Sequence, residues 1–259
     1  MKAYHSSAIS ITMNDYIFNN DNMFNENDSG NIHSDIDYNS MFNYFFQQIN
    51  QIFIKIPQHP YSLESTETMI YTSWTLVYKL STINFDSTNS IHLKILNELY
   101  KIVNNNKTPP SSLNDNLWKN EMGFQTSIPI NDFRMGGILN ILLPLYFYQK
   151  FPSFSRKFTL RLKNRENAPL MLIMILIIST TIECAQKTAI FNNCEDINEA
   201  WNMFLFFFLG LCKKIYSLFK NKEFNLLNGY KKFQYNLRQS IKRYKSICKK
   251  GFQVYQLKS

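Results

Sequence analysis

"NAPLMLIMILIISTTIECA", residues 167–185, decides the fold class. Its centre, Leu172 to Ser179, is rich in β-branched residues and by itself reads as a buried strand or a buried helix. Length separates the two. A buried strand runs for about 4–8 residues, and the segment from Leu170 to Gln186 is longer than that. The flanking lengths therefore predict a helix over 170–186. It is apolar on nearly every side, so it belongs in the middle of a bundle. It is not read as a membrane span. The apolar run Pro169 to Ile178 meets Ser179, Thr180 and Thr181, then Glu183 and Lys187, whereas a span needs roughly 20 mostly apolar residues.

Working outward, Ala200 to Phe219 predicts a second helix of the same kind, its apolar part Met203 to Cys212 ending at Lys213 and Lys214. Upstream, Ile138 to Lys150 predicts a buried helix, interrupted or kinked at Pro144 and stopped by Pro152. Thr88 to Val103 carries Ile91, Ile95, Leu96, Leu99 and Val103 on one stripe, which is helical spacing. "NNNKTPPSSLNDN", residues 104–116, is a loop. A helix after Pro60 would show Met69, Ile70, Trp74, Val77 and Tyr78, and one after Met41 would show Phe42, Phe45, Phe46, Ile49, Ile52 and Phe53. Residues 1–40 are rich in Asn, Asp and Ser and lack periodicity, the composition of a disordered tail. The expected architecture is all-α, a single multi-helix bundle over 41–250. A disordered N-terminal tail precedes it, and a short tail, 251–259, follows.

The chain of 259 residues has a formal net charge of +9, and the charge is unevenly placed. From Lys213 to Ser259 there are thirteen Lys or Arg against one acid, Glu223. Tyr230, Phe233, Leu237, Ile241, Tyr244 and Cys248 recur there at three-and-four spacing, which predicts one amphipathic basic helix. Two readings are open: an edge helix with a solvated face, or attraction to an anionic membrane at about 1 kcal/mol per basic residue. A third, nucleic-acid binding, has the charge but no recognition motif, and the helical phasing turns the aromatics to one side. No nucleic-acid partner is expected on that reading.

Several chemistries are absent from the pattern. Cys184, Cys194, Cys212 and Cys248, like the four histidines, are too scattered for metal-ligand spacing. They read as reduced thiols in a cytosolic protein. No nucleophile elbow or phosphate-cradling glycine loop occurs, so neither a metal nor a cofactor is expected. The N-terminal residues lack the apolar core of a signal peptide.

One arginine, Arg134, stands just ahead of the apolar tract at 138–150. The segment around it, "LWKNEMGFQTSIPINDFRMGGILNILLPLYF" (residues 117–147), resembles the signature of ELMO (engulfment and cell motility) domains. The matching positions are Trp118, Gly123, Phe124, Gln125, Pro129, Asp132, Phe133, Arg134, Gly137, Leu139, Tyr146 and Phe147. The resemblance extends over roughly residues 60–220. The usual glycine after the arginine is Met135 here, and a later one is Asn140, a change that would bear on how closely a partner approaches.

The resemblance implies a GTPase-activating protein for Arf and Arf-like small GTPases. In that branch the motif arginine is supplied in trans and the other motif residues shape the partner-binding region. Such a protein acts in the cytoplasm or peripherally at a membrane, has no catalytic site of its own, and activates another enzyme. The chemistry is sound, since an arginine that meets the charge on a γ-phosphate can raise hydrolysis by roughly 10³- to 10⁵-fold. Lysine lacks the planar fork that reaches two oxygens. Asn131 or Asp132 is expected to cap the helix start and hold the side chain still.

Two alternatives stay open. One is a non-catalytic ELMO-type scaffold binding a small GTPase or its exchange factor, in which Arg134 is a structural ion pair. The other is the basic nucleic-acid-binding protein above. Taken one by one, Trp118, Phe124, Phe133, Tyr146 and Phe147 read as core packing. Gly123, Gly136 and Gly137 read as turn or close-approach glycines, and Gln125 as a capping amide.

Overall fold

The computed structural model describes residues 77–133, 136–164, 168–187, 190, 194, 197–220 and 226–256. The expected tail at 1–40, the helix after Met41 and most of the helix after Pro60 lie outside them. So do Arg134 and Met135. Residues 77–82 are helical. Eight α-helices follow: α1 (Ser90–Val103), α2 (Asn116–Met122), α3 (Leu139–Lys150), α4 (Pro152–Lys163), α5 (Leu170–Lys187), α6 (Ile197–Leu218), α7 (Leu226–Arg238) and α8 (Tyr244–Gln256). Short 3₁₀ turns stand at Pro129–Asp132 and Ile241–Arg243, and no strand occurs among the described residues. The fold is all-α, as the long apolar segments require.

The segment at 167–185 is indeed a helix, and it sits inside the bundle. Twelve residues of α5 are buried, among them Ile173, Ile177, Thr181 and Cys184. By length and composition α5 could cross a bilayer, and 67% of it is buried inside the protein. Two of its polar residues are satisfied within the helix, Thr180 Oγ1 donating to the Leu176 carbonyl and Thr181 Oγ1 to that of Ile177, each at 2.8 Å. α3 is buried more completely, every residue from Leu139 to Tyr148 being closed off from solvent. Of the two outcomes expected at Pro144, an interruption is excluded, since the helix runs through it. Pro144 has no N–H to give the Asn140 carbonyl, and surrounding packing carries the helix through to Lys150. Phe147 is the hub of that packing, meeting Phe154, Phe158 and Phe208 edge-on at 5.5, 5.8 and 6.1 Å.

Pro152 both stops α3 and starts α4, where it occupies the first turn and its missing N–H costs nothing. α4 was not expected. It places Phe158 and Leu162 in the core, and its Thr159 pairs with the Tyr148 hydroxyl of α3. α1 starts later than expected, at Ser90, because Asn89 Oδ1 accepts from the Ile91 amide at 2.9 Å and fixes the N-terminus.

The C-terminal basic segment is not one helix but two. In a continuous helix the Asn236 carbonyl would receive the Ser240 amide. Instead it accepts from Lys214 Nζ at 3.0 Å and from Ser240 Oγ at 3.2 Å. The Ser240 amide turns to Leu237 at 2.8 Å, and the chain bends before α8 begins. α8 then crosses α6 with backbone against backbone. A Cβ added to Gly251 would lie 1.7 Å from the Phe206 carbonyl oxygen. The expected tail at 251 is therefore displaced: α8 runs on to Gln256, with Gly251 and Val254 buried.

Candidate functional site

The motif residues meet where α2, the 3₁₀ turn and the start of α3 come together. α2 is capped at its start by Asp115, whose side chain accepts from the Leu117 amide at 2.8 Å. It ends at Gly123, which takes a left-handed φ of 78° and gives its N–H to Lys119. This glycine has a second duty. Its carbonyl accepts from the Leu172 amide at 3.1 Å, satisfying a first-turn donor of the buried helix α5. A Cβ there would stand 2.4 Å from the Leu170 nitrogen, so no larger residue fits.

An unbroken line of rings holds the site: His92, Phe85, Phe133, Phe124, Trp118 and Tyr100. Their centroids are separated in turn by 5.6, 5.6, 5.7, 6.4 and 5.2 Å, mostly in edge-on or tilted pairs. Trp118 is fully buried, and its indole N–H donates to the Ser112 carbonyl at 2.9 Å. At the end of the line the Tyr100 hydroxyl donates to Glu121 Oε2 at 2.6 Å. Burial, followed by that carboxylate, pushes the Tyr100 phenol up to about 12. At the other end the Asp86 amide donates to His92 Nδ1 at 2.9 Å. Burial holds this imidazole below its usual 6.5, against the pull of the Asp86 carboxylate.

Pro129 is buried at the first position of the 3₁₀ turn. Neither that turn nor α3 carries a side-chain cap, which corrects the role expected of Asn131 or Asp132. Asp132 instead reaches back: its Oδ2 accepts from the backbone N–H of Gln125 at 2.6 Å, clamping the loop between α2 and the turn. Gln125 itself is exposed, and its backbone amide makes this contact.

Arg134 and Met135 lie outside the described residues, and the residues on either side of them are held in place by several contacts. On one side Phe133 is buried, and its carbonyl takes two donors, the Gly137 N–H and Asn140 Nδ2, both at 3.2 Å. On the other, Gly136 and Gly137 are buried. Gly137 has a φ of +49°, and a Cβ on it would lie 2.4 Å from the Ile83 carbonyl, which also accepts the Ile138 amide at 2.8 Å. Asn140 is fully buried, with its side-chain amide against Gly136. It therefore faces the core, which corrects the expectation that its replacement of a glycine acts on a partner's approach. Its Oδ1 has no hydrogen-bond partner, an arrangement that costs about 1–3 kcal/mol in a protein interior.

The sequence did not mark Asn140 as a holding residue. A polar residue amid the apolar run 138–148 was the available signal. The structure thus brings Trp118, Gly123, Phe124, Pro129, Asp132, Phe133 and Gly137 to one end of the bundle, with Gln125 at its surface. Tyr146 and Phe147 point into the core further along α3. Among the described residues no group of His, Cys, Asp or Glu could hold a metal ion, and all four cysteines are buried thiols.

Comparison with curated proteins and with solved structures returned no match. The model of the ELMO/CED-12 family matches residues 75–233, more than half of the chain and the whole of the site just described. The chain belongs to the ELMO/CED-12 family, and membership supports a role associated with small GTPases.

Proposed function

We propose that this protein stimulates GTP hydrolysis on a small GTPase of the Arf or Arf-like class, with Arg134 supplied in trans to the partner's nucleotide site. The observation that carries this reading is the treatment of the two residues bracketing Arg134 and Met135. Phe133 is locked by its ring contacts and by a doubly occupied carbonyl, and Gly136 is packed against the Asn140 amide. A chain segment with both ends fixed in a rigid core holds a functional side chain at small entropic cost, as transition-state stabilisation by an arginine demands. The guanidinium would meet charge on the γ-phosphate oxygens, while the nucleotide, its metal ion and the attacking water belong to the GTPase.

The test is single-turnover GTP hydrolysis by a panel of Arf and Arf-like GTPases, with the wild-type chain and with Arg134→Lys. Wild type should stimulate at least one member by roughly 10³-fold or more, and the lysine variant should lose that stimulation while unfolding at the same temperature. Equal stimulation by both proteins removes Arg134 from the chemistry. Binding to a GTPase without any stimulation favours the scaffold reading of the family instead.

A further inference from the structure

We infer that α7, the turn at Ile241–Arg243 and α8 present a cationic face that docks on the surface of an anionic lipid bilayer. Residues 226–256 contain no Asp or Glu at all. Arg238, Lys242, Arg243, Lys245, Lys249 and Lys250 are all exposed, whereas Phe233, Leu237, Ile241, Ile247 and Val254 are buried beneath them. The buried side of each helix is thus consumed by the bundle, and the outward side carries these cations together with the exposed rings of Tyr235 and Phe252. One cation is excluded from this set: Lys214 is turned inward to the end of α7. Burial lowers its pKa, and the nearby charges of Lys250 and Arg243 lower it further.

Compensation is sparse. Lys187, Arg238 and Lys242 gather around one surface hollow of about 550 Å³, whose one carboxylate among the described residues is Glu183. Glu183 is already engaged by Lys187 at 2.6 Å and Arg238 at 3.6 Å. Among the described residues no carboxylate pairs with Lys242, Arg243, Lys245, Lys249 or Lys250. A cluster of four to eight basic residues on amphipathic helices suits an anionic leaflet, each adding about five-fold to partitioning.

Single-stranded nucleic acid would want open aromatic platforms along the charge track. Phe233 is instead buried and Tyr244 and Tyr255 are half-buried; the two exposed rings, Tyr235 and Phe252, stand on separate helices, α7 and α8, and the Phe252 ring meets Phe206 at 5.3 Å. The bilayer is the better match.

The experiment is co-sedimentation of the full chain with phosphatidylcholine vesicles and with vesicles that also contain phosphatidylserine, at low and at physiological salt. Wild type should bind only the anionic vesicles, and less as salt screens the surface. Lys242→Gln/Lys245→Gln/Lys249→Gln should lower the partition coefficient about 100-fold. Lys119→Gln/Arg156→Gln/Lys157→Gln removes the same charge from exposed positions elsewhere and should bind nearly as wild type. Far-ultraviolet circular dichroism checks that both variants fold, and the wild-type comparison stands even where one does not. Equal binding to neutral vesicles, equal loss in the two triple variants, or displacement from vesicles by a single-stranded oligonucleotide would each overturn the proposal.

Discussion

The motif end and the cationic end of this bundle are anchored in the same way and finished in opposite ways. Each rests on a glycine that lets two backbones touch, Gly137 against Ile83 at one end and Gly251 against Phe206 at the other. At the motif end the polar groups then turn inward: Asp132 holds the Gln125 amide and Asn140 holds the Phe133 carbonyl. At the cationic end most of the charged groups turn outward, while Lys214 and Ser240 are turned inward for construction. The difference separates two kinds of site. One depends on the position of a few atoms, so its residues are individually irreplaceable. The other depends on summed charge, so its residues are interchangeable while the helices beneath them are not.

The strongest test of that contrast is Gly251→Ala. The added Cβ cannot coexist with a carbonyl oxygen 1.7 Å away, so α8 must shift off α6. Overpacking of this kind costs about 1–3 kcal/mol, and a rigid backbone neighbour puts it at the upper end. Urea denaturation should show the loss, and proteolysis should cut first after the basic residues of α8. If the two ends are independent, GTPase stimulation by the surviving folded protein is unchanged. A parallel loss of stimulation and stability would join the two ends and break the comparison.

Asn140→Ala is smaller in stability and sharper in meaning. It removes one of two donors to the Phe133 carbonyl, and with it an acceptor that had no partner, so the net cost is about 1 kcal/mol or less. The stimulated rate should nevertheless fall by roughly ten-fold, because one fastening of the segment carrying Arg134 is gone and small misplacements are expensive in catalysis. The effect should lie in the maximal rate, with affinity for the GTPase little changed. A fall in affinity alone, or an unchanged rate, would reduce Asn140 to a packing residue.

How much of this was legible depended on where the information sits. The helices α5 and α6 were readable because long apolar segments admit no other buried form. The motif glycines were readable as turns, although that Gly123 would also supply an acceptor to α5, some fifty residues on, is a tertiary fact with no local trace. The break between α7 and α8 was hidden for the same reason. "NLRQSIKRY", residues 236–244, contains no Gly or Pro, and the stop is imposed by Lys214 from another helix. α4 was missed because its polar residues Ser155 and Thr159 face inward, which blurs the apolar stripe. The cationic end was visible from composition alone, as a site of summed charge should be.

The least of the expected effects is set by pH, and it should touch one end only. His92 Nδ1 accepts the Asp86 N–H, so the fold holds the neutral imidazole, and burial keeps its pKa below 6.5. Above that value both folded and unfolded chains carry the ring neutral and its contribution is complete. As pH falls, the unfolded chain binds the proton first, so stability drops and is lost as pH passes through the folded pKa. The loop that would loosen, 83–89, contains Phe85 against the Phe133 ring and the Ile83 carbonyl that receives the Ile138 amide. Hydrogen exchange between about pH 7.5 and about pH 5.5, corrected for intrinsic rates, should therefore show lost protection at Ile138 and none lost along α8. His92→Asn keeps an acceptor at the position of Nδ1 without a titration and should abolish the difference. Equal loss of protection at both ends would mean that acid weakens the bundle as a whole, and the independence of its two ends would fall with it.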